Sequence, residues 1–188
     1  MGHPTIYPTG TTIYDPEKCF NGYTVFQAKE TGACLINMNG AVVQLWKGLH
    51  GLPNTLLPGG FVMGATGERP ARFGYQDLRD LVQVDWDGEI VWRFDQYEYI
   101  EDPGEEPRWM ARQHHDFQRE GCPVGYYVPG MEPRTDGGNT LVLCHKNTRN
   151  PEITEKTLLD DTFVEVDWDG DILWEWVASE HFESLGFS

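Results

Sequence analysis

Apolar and polar residues alternate along most of this chain, and glycine breaks the alternation at intervals. The clearest stretch is "LVQVDWDGEIVWRF" at 81–94. Successive side chains of a strand point to opposite faces, so such a run buries one face. The Asp-Gly pair at its centre tolerates the positive φ of a tight turn, and the stretch predicts a β-hairpin. It returns as "FVEVDWDGDILWEW" at 163–176, and more faintly as "CLINMNGAVVQLW" at 34–46. Gly40, Gly88 and Gly170 mark the turns. Trp46, Phe94 and Trp176 hold the same place after each turn, as expected for an aromatic packed between neighbouring sheets.

A shorter element precedes each hairpin: "GYTVFQA" (22–28), "PNTLLPGG" (53–60) and "GNTLVLCH" (138–145). Strand, loop, strand, Asx-Gly turn, strand therefore occurs three times. Repeated units of this kind predict an all-β fold, a β-propeller with three four-stranded blades near 20–50, 51–96 and 110–178. A β-sandwich with coincidental repeats fits less well, because the hairpin recurs almost verbatim. Residues 97–109 read as a long acidic connection and 121–137 as an extended Gly/Pro loop. Helical turns are expected only at 74–80 and in the C-terminal "ASEHFESLGF". Propellers close with four to eight blades, so 1–188 reads as a single partial domain, with 179–188 a junction toward a missing half. The expected partner is a second polypeptide carrying the remaining blades, or a second copy of the chain.

Charge narrows the partners further. The 188 residues carry 14 Lys+Arg against 30 Asp+Glu, a net charge of -16. That balance argues against nucleic acid and anionic membrane surfaces. No apolar run approaches the ~20 residues of a membrane span, and "MGHPTIYPTGTTIYDPEK" lacks the apolar core of a signal peptide, so a cytoplasmic protein is expected. Cys19, Cys34, Cys122 and Cys144 show no CxxC spacing and read as buried or inert thiols.

Several motifs in this order, "YPTGTTIYDPEKCFNGYTVF", "MNGAVV", "PGGFVMGATGER", "RQHHDFQREG", "GGNTLVL" and the "VDWDG" hairpins, resemble the N-terminal part of the arylsulfotransferase family, from about residue 7 to 188. Family members are about twice this length. The resemblance implies a six-bladed propeller whose central funnel surrounds an aryl sulfate ester with histidines and an arginine. Sulfate then passes to a phenolic acceptor by a ping-pong route, through a transiently sulfated histidine expected in the half not present here. It implies no cofactor. It matches the funnel-lining histidine of this half to His114 or His115. A hydrolase or lyase on the same scaffold, or a non-enzymatic propeller that binds partners on its rim, are the alternatives.

"RQHHDFQREG" at 112–121 carries the candidate chemistry. Arg108, Arg112, Arg119, Arg134, Lys146 and Arg149 gather around it in an otherwise acidic chain. Imidazole exchanges protons near neutrality, and a guanidinium fork matches a tetrahedral oxyanion. On an extended strand His114 and His115 face opposite ways. His115 is assigned to the site and His114 to a supporting hydrogen bond, while Arg112 shares the face of His114; an anion on Arg112 would reverse the choice. Asp116 orients a histidine or caps a turn. His145 and His50 sit where inner strands reach a funnel mouth, and both are candidates for substrate binding. Tyr23, Tyr126 and Tyr127 could line a pocket for an aromatic ring; His181 belongs to the junction and His3 to the terminus. The "HHD" triplet with His145 could also hold a divalent metal, but adjacent histidines rarely bind one ion from a single strand face, and no metal is assigned.

Overall fold

A computed structural model describes residues 11–73, 76–121 and 134–187. Among the described residues the protein is all-β, with no α-helix. Its strands are β1 (Tyr23–Ala28), β2 (Gly32–Asn37), β3 (Val42–Lys47), β4 (His50–Leu56), β5 (Val62–Ala65), β6 (Leu81–Val84), β7 (Ile90–Phe94), β8 (Glu98–Ile100), β9 (Arg108–Met110), β10 (Gln113–Arg119), β11 (Thr140–Thr148), β12 (Leu158–Val166) and β13 (Ile172–Val177). They form four antiparallel sheets ordered β1-β2-β3, β4-β5-β6-β7, β10-β11-β12-β13 and β8-β9.

The three recurring hairpins share one turn chemistry. Asn37 Oδ1 accepts the backbone N–H groups of Asn39 and Ala41, both at 3.0 Å. Asp85 does the same for Asp87 and Glu89, at 3.0 and 2.9 Å, and Asp167 for Asp169 and Asp171, both at 2.9 Å. A short side chain folding back on its own backbone is why Asn and Asp hold this position. Gly88 and Gly170 take φ of 91° and 89°, a region that costs any residue with a Cβ.

Period-two patterning then fixes which faces meet. Ala33, Leu35 and Trp46 of the first sheet pack with Leu49 and with Val62, Val82 and Val84 of the second. The second sheet's other face gives Met63, Leu81, Trp92 and Phe94 to a core shared with Phe117, Val142, Cys144, Val164 and Val166 of the third. The second sheet therefore lies between its neighbours. Each seam is pinned by an indole. Trp46 Nε1 donates to the Asp85 carbonyl at 2.8 Å, and Trp92 Nε1 to the Asp167 carbonyl at 3.4 Å. Their rings meet Trp86 edge-on and Trp168 in a stack. Arg119 is buried with its guanidinium over both Trp92 and Trp168, and burial lowers its pKa to about 10.

Several expectations need correction. The first sheet has three strands among the described residues, not four. The acidic stretch 97–109 is not all connection, because β8 and β9 pair across it, with Tyr99 facing Trp109 edge-on at 5.7 Å. Of the stretch 74–80, residues 76–80 are described, and there Leu78 bridges to Glu68 and to Gln113, whereas the expected C-terminal turn is present as a 3-10 turn at Ala178–His181. Trp176 lies on the third sheet's outer face, against Phe163 and His181, rather than between sheets. Cys34 and Cys144 are buried free thiols, but Cys19 is exposed. Cys122, Tyr126, Tyr127, His3 and most of the 121–137 loop lie outside the described residues. No helix of the described residues is long and apolar enough to cross a membrane.

Candidate functional site

Asp77 is the hub of the site. The connection between β5 and β6 carries it to β10, held there by the Leu78 N–H on the Gln113 carbonyl at 2.9 Å. The carboxylate is wholly buried. Its Oδ2 accepts Arg69 Nη1 and Arg112 Nε, both at 2.8 Å, and its Oδ1 pairs with His145 Nδ1 at 2.5 Å. Burial alone would raise the Asp77 pKa. The His145 hydrogen bond and the two guanidinium groups outweigh it and hold the carboxyl at about 2. Arg69 also grips Asp102 through Nε and Nη2, both at 2.8 Å, and Arg112 Nη1 reaches Glu98 at 2.5 Å.

β10 is irregular where it meets this hub. Gln113 pairs with Cys144 and Phe117 with Val142, so residues 114–116 stand opposite Leu143 alone. Arg112, just before the irregularity, and His115, inside it, have φ of 52° and 56°. Left-handed backbone on residues with a Cβ is held only where the surroundings dictate it, and it clusters at functional sites. The result is that His114 turns inward, 3% exposed, while His115 stays at the surface. The His114 ring stacks on His145 with centroids 3.7 Å apart, and His115 meets it edge-on at 5.2 Å. Burial first, then the neighbouring His145, lowers the His114 pKa to about 4. Its imidazole is uncharged at neutrality, and neither ring nitrogen makes a hydrogen bond.

His114 and His115 line a small cleft of about 150 Å³ together with Gln27, Glu68, Arg69 and Asp77. A larger cleft of about 430 Å³ follows the seam around Trp46 and Trp86, but no imidazole or thiol lines it. The imidazoles are at the smaller one.

The sequence candidates separate accordingly. His114 and His145 come together, with His115 at the mouth of the same cleft. Strand alternation is not what separates His114 from His115; the irregular backbone does it. Arg112 contacts no open space, since it is buried in ion pairs with Asp77 and Glu98. The other cations do not converge either. Lys146 binds Glu175 at 2.7 Å, Arg134 lies 3.9 Å from Glu120, and Arg119 is enclosed by indoles. Asp116 accepts the Phe117 N–H at 2.8 Å and lines a groove with Leu141 and Phe163, away from the cleft. His50 stands 3.9 Å from Glu68, beside the lining residue Gly51. Tyr23 is exposed on β1 and does not line the cleft.

Sequence reasoning missed Asp77, Arg69, Glu98 and Asp161. Asp161 Oδ1 lies 3.3 Å from His114 Nε2 and 3.7 Å from His145 Nε2. β11 and β12 pair His145 with Asp161, which brings this carboxylate in; the "LLDD" run offered no spacing that would single it out. No protein-family model matches the chain, and no curated protein or solved structure matches it.

Proposed function

We propose that the cleft at His114 and His115, with His145 stacked behind His114, processes aryl sulfate esters, moving the sulfuryl group to a phenolic acceptor by a ping-pong route. The observation that carries this reading is His115. It is an exposed imidazole held in a left-handed conformation at the mouth of the cleft, edge-on to a second, uncharged imidazole. The resemblance to arylsulfotransferases sets the sulfated histidine outside this stretch; on this chain His115 is the imidazole suited to that part. One nitrogen of His115 bonds to sulfur as the S–O bond to the aryl oxygen breaks, and the phenolate leaves with the proton that the other ring nitrogen gives up. A second phenol then loses its proton and takes the sulfuryl group, restoring the imidazole. A cleft of about 150 Å³ admits the sulfuryl end of an ester and leaves the ring outside. The test is phenol release from an aryl sulfate, dependent on an added phenol. His115→Ala should lower turnover by roughly two orders of magnitude or more. Turnover unchanged by that substitution would return His115 to a structural role.

The same proposal extends to the architecture. Three sheets stacked in chain order, the first two each handing an indole to the Asx turn of the next, fit consecutive blades of a propeller. The series runs on at the third sheet. Trp174 pairs with Glu165 as Trp92 pairs with Gln83, and it stands 48% exposed beside Phe163 and Leu141. In this reading that face receives a further sheet of the same kind, from a second polypeptide or a second copy.

A hydrolase or lyase that uses a bound metal is the second reading, favoured by Asp161 beside both imidazoles.

A further inference from the structure

Resting on the reading of this cleft as a site for sulfate esters, we infer that His114, His145 and Asp161 hold a divalent transition-metal ion of the zinc class. A sulfate ester brings a negative charge to a cleft bordered by Glu68 and Asp77. The two guanidinium groups that reach Asp77 are already committed: Arg69 to Asp77 and Asp102, Arg112 to Asp77 and Glu98. The missing positive charge is what the ion supplies, through coordination positions left open beyond three protein ligands.

The spacing fits. Four ligands on a tetrahedral ion, with bonds of about 2.1 Å, sit roughly 3.4 Å from one another. Asp161 Oδ1 lies 3.3 Å from His114 Nε2 and 3.7 Å from His145 Nε2, and one atom from each residue falls within 4.8 Å of the others. Two imidazoles and a carboxylate suit zinc and its neighbours in the first transition row rather than magnesium or calcium.

Two further observations point to a ligand. His114 is 3% exposed, yet neither of its ring nitrogens makes a hydrogen bond; the contact of Nε2 with Asp161 lacks the geometry. A buried polar atom left unpaired is costly, and an ion on Nε2 removes that cost. His145 is prepared from the other side. The Asp77 carboxylate accepts a hydrogen bond from the His145 Nδ1–H, which leaves Nε2 as the lone-pair nitrogen, and Arg69 and Arg112 hold Asp77 still. A carboxylate behind the far nitrogen is the usual support of a metal-bound histidine. Asp161, 62% exposed, leaves the solvent side of the ion open to an ester oxygen.

The experiment is a calorimetric titration of the whole, chelator-stripped protein with zinc chloride, repeated with cobalt chloride and read by visible absorption. One zinc per chain is expected, with a cobalt spectrum free of thiolate charge transfer. Asp161→Asn, a surface change that leaves folding intact, should weaken binding at least about tenfold, and His114→Ala should abolish it. Absence of stoichiometric binding, or wild-type affinity in Asp161→Asn, would overturn the site. A thiolate band would assign the ion to a cysteine and overturn it equally. No ester enters these titrations, so zinc bound without ester turnover refutes the sulfuryl reading and leaves the metal site standing. Undiminished phenol release by the stripped protein would remove the ion from the chemistry.

Discussion

Trp92 donates its indole N–H to the backbone carbonyl of Asp167, across the seam between the second and third sheets. Trp46 makes the corresponding bond to Asp85 one sheet earlier. The aspartate that opens the second and the third Asx turn thus also receives the preceding sheet, so one short motif specifies both a hairpin and its docking.

Truncating such an indole removes a large buried ring together with its hydrogen bond. Trp92, 4% exposed, should cost about 3–5 kcal/mol on change to alanine, read from urea unfolding. Trp174, 48% exposed, should cost far less in the isolated chain. If the third sheet docks a further sheet, Trp174→Ala should instead weaken assembly, measured by native mass spectrometry. A chain that is monomeric at every concentration and has no co-purifying partner would contradict the docking.

Gly88 offers a test with a single cause. A Cβ there meets nothing within 4 Å, so only its φ of 91° opposes a side chain. Gly88→Ala should cost roughly 1–2 kcal/mol. A loss near zero would mean the turn relaxes to another form.

The hairpins and their turns were legible because patterning and turn chemistry are local. "DWDG" names its own structure wherever it occurs. The site was half legible. His114, His115 and His145 stood out by residue type, but what each does depends on Asp77 and Asp161, which arrive through a cross-connection and a strand register. Arg112 was misread for the same reason. A guanidinium next to histidines resembles an anion fork until Asp77 and Glu98, distant in sequence, are seen to occupy it.

Arg112 should accordingly behave as a brace. Arg112→Met leaves the buried Asp77 without one of its two guanidinium partners. Breaking a buried pair from one side typically costs about 3–5 kcal/mol. Thermal melts should show that loss, and the double change Arg112→Met with Asp77→Asn should recover part of it. A variant as stable as the parent would contradict the hub.

Acid should unfold the protein through the same carboxylates. The Arg69 hydrogen bond lowers the Asp102 pKa below its usual 3.8. Burial would raise that of Glu175, but the Lys146 and Tyr97 hydrogen bonds outweigh it and hold it below 4.5. Asp77 stands at about 2. A carboxyl with a lower pKa in the folded state stabilises it above the unfolded-state value and loses that contribution as pH falls through the folded one. The melting temperature should therefore begin to fall below about pH 6.5, where the unfolded chain protonates His114 and the folded one does not, and drop further from about pH 4.5 toward 2 as the carboxylates follow. Asp102→Asn should flatten part of the decline. A melting temperature that is level to pH 2 would contradict these pairings.

Intact-protein mass spectrometry after mixing with an aryl sulfate, with no acceptor phenol present, tests the central claim most directly. The ping-pong route predicts one added sulfuryl group per chain, located on His115 by fragmentation, absent from His115→Ala and discharged when a phenol is added. Phenol release with no sulfuryl group ever found on the protein, or one carried undiminished by His115→Ala, would contradict it.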